Sequence, residues 1–230
     1  MSEPARCVIV TGGTGALGAA VVRAFLGEGA RVVVPWIVAG ERERVAAAEA
    51  DALSAGRLVL LEADVADEVG AASVVRAAGE PAVLVNGVGG FAAGAVHEAP
   101  LADLDRLWRM NVRSLVAMSR AVLPGMMARR SGVILNVASR AAFERPGGIS
   151  AYVAAKAAVV ALTETMQKEV AATGIRVNAI VPTTIDTPAN RAAMPDADSS
   201  LWTPPARIAA VLRFLASDDG ATVRGGLVPV

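Results

Sequence analysis

The sequence is short of histidine, cysteine, lysine and tyrosine, and each shortage excludes something. One histidine (His97) and one cysteine (Cys7) in 230 residues cannot build a His/Cys metal site or an internal disulfide. No metal is expected, and Cys7, inside the apolar run CVIV, reads as a buried thiol. Basic and acidic residues balance at 22 each, and no stretch concentrates positive charge as a nucleic-acid backbone requires, so nucleic acid is not an expected partner. Apolar residues reach 54%, yet no run attains the roughly eighteen uninterrupted apolar residues of a membrane span. The opening MSEPARCVIV carries an acid and a proline and lacks the basic start and long apolar stretch of a secretory signal. The expectation is a cytoplasmic protein with no membrane partner.

The residues that are present form a repeating pattern. Short β-branched runs at Val8–Val10, Val32–Val34, Leu58–Leu61, Ala82–Val85, Val133–Val137 and Ile175–Val181 are bounded by Gly, Pro, Asn or Asp and read as buried parallel strands. Between them lie helical segments at 16–26, 41–53, 69–78, 101–127 and 151–173. Strand then helix, repeated, predicts an α/β fold: a single doubly wound parallel sheet of about seven strands with helices on both faces, one domain over 1–230. Residues 182–205 break the pattern with a long polar, proline-bearing excursion. A loop of that length in a compact domain is usually functional.

The first strand runs into TGGTGALG, Thr11 to Gly18. Gly13, Gly15 and Gly18 satisfy G-x-G-x-x-G between a strand and a helix, where glycines permit a tight turn and a pyrophosphate can meet the helix N-terminus. Such folds often place an acid about twenty positions on, to hold the ribose hydroxyls. Here the second strand ends Val34-Pro35-Trp36-Ile37, with no acid until Glu41. A 2′-phosphate would need a base instead, and Arg42 and Arg44 are near, either to serve it or simply to face solvent on the next helix, so NAD and NADP both stay open.

The only tyrosine, Tyr152, and one of two lysines, Lys156, stand four residues apart in SAYVAAKA, although arginines number twenty. On a helix these share one face. A tyrosine with its ordinary pKa near 10 exchanges protons poorly at neutral pH. An ammonium about 4 Å away at an effective dielectric near 20 stabilises phenolate by roughly 4 kcal/mol, enough to bring Tyr152 near 7. Ser139, a hydroxyl at the end of the fifth strand, can hydrogen-bond a substrate oxygen as charge develops on it. Of the remaining candidates, His97 is read as bordering the site or capping the next helix, and Trp108 as a core or subunit-contact residue. Trp36 is read as covering an adenosine or simply packing.

Over essentially its whole length the chain resembles the short-chain dehydrogenase/reductase family. Thr11, Gly12 and Gly18 match its T-G-x-x-x-G-x-G motif, with Ala16 at the middle glycine. Asp64 matches an adenine-side aspartate, and Asn86-Gly87-Val88-Gly89 stands at N-N-A-G. Asn111 in MNVRS fits the helix asparagine, Ser139 lies thirteen residues before Tyr152, and Pro182 and Thr187 match the ends of P-G-x-x-x-T. The resemblance implies a catalytic group of Asn111, Ser139, Tyr152 and Lys156. It implies an NAD or NADP site formed by Gly12, Thr14, Gly15, Ala16, Leu17, Gly18, Trp36, Asp64, Val65, Asn86, Gly87, Lys156, Pro182, Ile185 and Thr187. The expected activity is an NAD(P)-dependent oxidoreductase moving hydride between nicotinamide and a small carbonyl or alcohol substrate, of the carbonyl or 3-oxoacyl reductase type. A homo-oligomer, tetramer or dimer, is expected. Two alternatives stand. The 182–204 loop and the G-A-L-G turn are similar to dihydropteridine reductases, although those lack the serine that Ser139 supplies here. A non-catalytic dinucleotide-binding protein would keep the fold without needing the proton chemistry.

Overall fold

Val8 and Val10 turn one way from the first strand while Cys7 and Ile9 turn the other. That period-two alternation, repeated across the strands, builds a core on each face of one sheet. The computed structural model describes residues 6–230. Its strands are β1 (Cys7–Thr11), β2 (Arg31–Trp36), β3 (Leu58–Glu62), β4 (Val83–Asn86), β5 (Gly132–Val137), β6 (Ile175–Val181) and β7 (Leu227–Pro229). All neighbours run parallel in the order β3-β2-β1-β4-β5-β6-β7. The order reverses at β1, so the segments leaving β1 and β4 diverge and open a crevice at the carboxyl ends of the strands.

The helices are α1 (Ala16–Gly27), α2 (Ala39–Ala48), α3 (Ala50–Ser54), α4 (Glu68–Ala78), α5 (Leu101–Trp108), α6 (Ser114–Arg129), α7 (Ala141–Glu144), α8 (Ser150–Glu169), α9 (Pro188–Ala193) and α10 (Pro205–Ala216). On one face Phe25 of α1 and Ile208 and Leu212 of α10 pack over Val8, Val10, Val32 and Val34. On the other Val74 of α4, Met118 and Met126 of α6 and Val159 of α8 pack over Ile9, Val33, Leu84 and Ile134. Each fully buried side chain of this size contributes about 1.5–3 kcal/mol. Cys7 is buried and free. Among the described residues no helix is long and apolar enough to cross a membrane.

Several sequence expectations need correction here. The helix expected over 41–53 breaks at Glu49, whose φ of −120° and ψ of 34° are not helical. The helix expected over 101–127 is continuous but widens into a π turn at Arg109–Arg113. β3, an edge strand, is only partly buried. The excursion at 182–205 contains α9 and a 3₁₀ turn at Ser199–Leu201. Trp108 is 47% exposed and is no core residue. His97 projects into solvent beside Glu98, and α5 has Pro100 as its N-cap, with no side-chain cap.

Candidate active site

The glycine turn sets the first wall of the crevice. Gly12 has φ +65°, a conformation glycine adopts without penalty, and a β-carbon there would lie 2.6 Å from the Gly87 carbonyl oxygen. At Gly18 a β-carbon would lie 2.0 Å from the Gly12 oxygen, so α1 can seat against the turn only without a side chain at that point. Thr11 ties the two diverging segments together: its buried Oγ1 accepts from the Gly87 N–H at 3.1 Å and donates to the Val85 carbonyl at 3.3 Å. α1 begins at Gly15 with no side-chain cap and no acid in its first turn. Its N-terminal N–H groups and positive dipole end therefore face the crevice with no carboxylate of the helix's own first turn in competition.

A groove of about 350 Å³ runs from this turn, lined by Gly12, Thr14, Gly15, Trp36, Asp64, Val65 and Gly87 among others. These seven are predicted coenzyme contacts, and the structure brings them together. The turn that admits only glycine at positions 12 and 18, the uncapped helix start and the groove beside them fit a dinucleotide. Burial works to raise the Asp64 carboxyl. The Ala66 N–H at 2.9 Å and the Arg109 guanidinium at 2.8 Å outweigh it and hold the pKa below the ordinary value. Ala16, Leu17 and Gly18 lie behind the turn, in α1, and do not line this groove.

Asn86, expected as a coenzyme contact, is tied by its amide nitrogen into a buried network, while its Oδ1 has no partner. Its Nδ2 donates to Asn136 Oδ1 at 2.9 Å and to Ser119 Oγ at 3.2 Å. Asn136 Nδ2 in turn donates to Thr163 Oγ1 at 2.9 Å. This buried chain joins β4, β5, α6 and α8 and holds α8 against the sheet. The sequence carried a signal for it: Asn136 interrupts the apolar run VILNV, and a polar side chain inside a buried strand must find a partner.

Tyr152 and Lys156 lie on α8, and Ser139 lies just past the end of β5. The Ser139 Oγ accepts from the Ala141 N–H at 3.2 Å, which starts α7 and fixes the serine's orientation. Lys156 is buried and donates to the Val137 carbonyl at 2.8 Å. Burial without an acidic partner lowers its pKa to about 8. Its ammonium is 5.8 Å from the Tyr152 ring centroid. Burial raises the Tyr152 phenol, with a weaker opposing pull from the Ser139 hydroxyl. The expectation that Lys156 brings Tyr152 near 7 therefore does not hold in this geometry. The ammonium is engaged by the Val137 carbonyl, and desolvation is the larger effect on the phenol.

Asn111 sits in the π turn, where Nδ2 donates to the Leu107 and Gly90 carbonyls at 3.0 and 3.2 Å. Its buried Oδ1 has no hydrogen-bond partner. A β-carbon at Gly89 would lie 2.8 Å from Asn111 Oδ1 and 3.5 Å from Lys156 Nζ, so both groups border one small space that a side chain at position 89 would fill. Phe91, not anticipated from sequence, meets the Tyr152 ring edge-on, with centroids 5.1 Å apart at 70°. Its loop is tied to the start of α8 by a bridge between Gly94 and Ile149, with the Gly94 N–H donating to Gly148 at 2.6 Å.

The segment after β6 is clasped at its neck. Ile185 and Thr203 form a β-bridge, the Asp186 N–H donates to the Thr203 carbonyl and the Thr203 N–H to the Thr184 carbonyl, both at 3.0 Å. Thr187 spends its hydroxyl on the Asn190 N–H at 3.1 Å, capping α9, which buries no residue. Pro182, Ile185 and Thr187 belong to this neck, apart from the groove.

A model of the short chain dehydrogenase family matches residues 6–198. The chain is similar to a 2-(R)-hydroxypropyl-CoM dehydrogenase of Xanthobacter autotrophicus, 35% identical over 237 residues covering 96% of this chain and 94% of that protein. It is also similar to a meso-2,3-butanediol dehydrogenase of Serratia marcescens, 30% identical over 98% of this chain and 92% of the relative. The crystal structure of a levodione reductase superposes with a TM-score of 0.89 at 28% identity, over 98% of this chain and 95% of the other.

Proposed function

This chain belongs to the short-chain dehydrogenase family, oxidoreductases of CH–OH and C=O groups that use NAD(P), and on that premise we propose a secondary-alcohol dehydrogenase or ketone reductase in which Tyr152 exchanges the proton. One observation carries the proposal: Tyr152, Ser139, Lys156 and Asn111 converge at the carboxyl ends of β4 and β5, beside a groove lined by the glycine turn. A binding module has no use for a buried ammonium, which destabilises the fold that holds it. The relatives' names point the same way, since 2-hydroxypropyl, 2,3-butanediol and β-hydroxybutyrate all present a secondary alcohol.

A nicotinamide coenzyme held in the groove would supply the hydride exchange with the carbinol or carbonyl carbon. Tyr152 removes the hydroxyl proton as the C=O bond forms, or donates it to the oxygen in the reverse direction. Ser139 donates to the substrate oxygen and steadies the charge there. Lys156 borders the space at Gly89 and would hold the ribose of the coenzyme. The open acceptor on Asn111 faces the same space and extends the proton path from Lys156. Gly12, Thr14, Gly15, Asp64 and Val65 would hold the coenzyme. The clasped segment at 182–205 acts as a lid over the substrate, its Met194 and Leu201 free to cover an apolar group. The assembly is a homodimer or homotetramer.

The test is absorbance at the nicotinamide band with secondary alcohols, vicinal diols, 3-hydroxyacyl thioesters and the matching ketones. A quinonoid pterin in the same panel tests the resemblance of the 182–204 loop. Turnover is expected with at least one secondary alcohol or ketone; reaction with the pterin alone, or with nothing, contradicts the proposal.

A further inference from the structure

The end of β2 lacks the carboxylate that would hold the ribose hydroxyls of a dinucleotide. Trp36 occupies the last position of β2 and lines the groove, and its indole Nε1 is buried without a partner. The indole is an apolar wall and supplies no acceptor for a hydroxyl. The nearest acid along the chain, Glu41, stands five residues on, in the first turn of α2. α2 swings it back: Glu41 lines the same groove as Trp36, and Glu41 Oε2 accepts a hydrogen bond from Thr14 Oγ1 of the glycine turn at 2.9 Å.

We propose that Glu41 is the ribose-binding acid of this protein, displaced from the strand end to the following helix, and that it selects the coenzyme without a 2′-phosphate. The assignment rests on the dinucleotide reading of the groove. A carboxylate is an acceptor only, so it suits vicinal hydroxyls, which can both donate to it, and repels a phosphate dianion. The bases nearby do not reverse that sign. Arg42 and Arg44 do not line the groove, and Arg44 is exposed and only 3.8 Å from the outer oxygen of Glu41 itself. Arg109, which does line it, is held by Asp64 at 2.8 Å and Asp67 at 3.2 Å. The hydrogen bond from buried Thr14 orients the carboxylate inward, toward the turn where the pyrophosphate and the adjoining ribose would lie. A purely structural role for Glu41, bracing α2 on the glycine turn, would be indifferent to the 2′ substituent.

The experiment is a binding titration of the purified protein with NAD⁺ and NADP⁺ separately, without substrate, by calorimetry or by quenching of tryptophan fluorescence, to which Trp36 contributes. The wild type should bind NAD⁺ at least about tenfold more tightly. Glu41→Gln keeps an acceptor for Thr14 but removes the charge. It should weaken NAD⁺ by about tenfold to hundredfold, the range of a hydrogen bond to a charged group, while leaving NADP⁺ unchanged or tighter. Glu41→Arg should reverse the preference. A melting temperature near that of the wild type for both variants shows that the fold is intact. Equal wild-type affinity for the two coenzymes overturns the assignment, and so does an equal loss of both in Glu41→Gln. Binding of neither coenzyme by the wild type overturns the dinucleotide reading itself and this assignment with it.

Discussion

Lys156 should cost the protein stability, and replacing it with methionine makes that cost measurable. The ammonium is buried, with the Val137 carbonyl at 2.8 Å as its hydrogen-bond acceptor. Its pKa falls from 10.5 to about 8, and at 1.36 kcal/mol per pH unit this is a penalty of about 3 kcal/mol on the folded state. The sign follows from proton counts. Between pH 8 and 10.5 the unfolded chain holds this proton and the folded chain has released it. Stability from this group therefore rises with pH across that window, and the penalty is fully present below it. Methionine has a similar length and no charge. It removes the penalty but leaves the Val137 carbonyl without its donor, a loss of about 1–3 kcal/mol that does not depend on pH. The difference between variant and wild type isolates the titration. Measured by denaturant unfolding, the stability of Lys156→Met relative to wild type should be more favourable at pH 7 than at pH 10 by roughly 2–3 kcal/mol. A difference that is flat with pH, or that grows toward pH 10, would refute the argument that this lysine is held in a desolvated, strained protonation state.

Gly18→Ala sets a β-carbon against the Gly12 oxygen, where only 2.0 Å is available between two backbone segments. It should weaken coenzyme binding at least about tenfold and lower stability by about 1–3 kcal/mol in calorimetry, as overpacked sites do; near-normal binding would contradict the packing of α1 on the turn. Trp202→Ala should raise the KM for the carbonyl substrate several-fold with little change in coenzyme affinity if 182–205 is a lid. An equal loss of both, with a large fall in Tm, would show that Trp202 is a fixed packing residue. Leu101, Leu104 and Trp108 stand exposed at i, i+3 and i+7 along α5, one apolar face that needs a cover. Light scattering should therefore report a multiple of the 23.4 kDa chain, and a monomer at micromolar concentration would contradict the assembly.

The parts of the site that follow from local pattern were legible before the fold was known. The alternation of β-branched runs with helical segments implies the parallel sheet, and Ile175–Val181 matches β6 end for end. The glycine turn, Tyr152 and Lys156 on one helical face and the position of Ser139 all depend on neighbours along the chain. What was not legible depends on distant partners. Asn86 finds Asn136 fifty residues away, and nothing near Asn86 distinguishes a coenzyme contact from one end of a buried network. The π turn that tucks Asn111 against Leu107 and Gly90 has no signature in MNVRS. An ammonium at about 4 Å would by itself favour the ionised phenol. The structure adds desolvation of both groups and a competing carbonyl, and these change the direction. The break at Glu49 falls among alanines and glutamates that all favour helix, so propensity could not mark it.

The central claim is that Tyr152 carries the proton while the groove independently holds the coenzyme. Tyr152→Phe removes one oxygen from a ring whose packing against Phe91 should survive. Turnover followed at the nicotinamide band, alongside a coenzyme titration of the same sample, tests the claim most directly. A fall of at least about a hundredfold in kcat, in the range typical of general acid–base catalysis, with coenzyme affinity within about twofold of wild type, is the predicted result. Retention of more than about a tenth of the rate would contradict it.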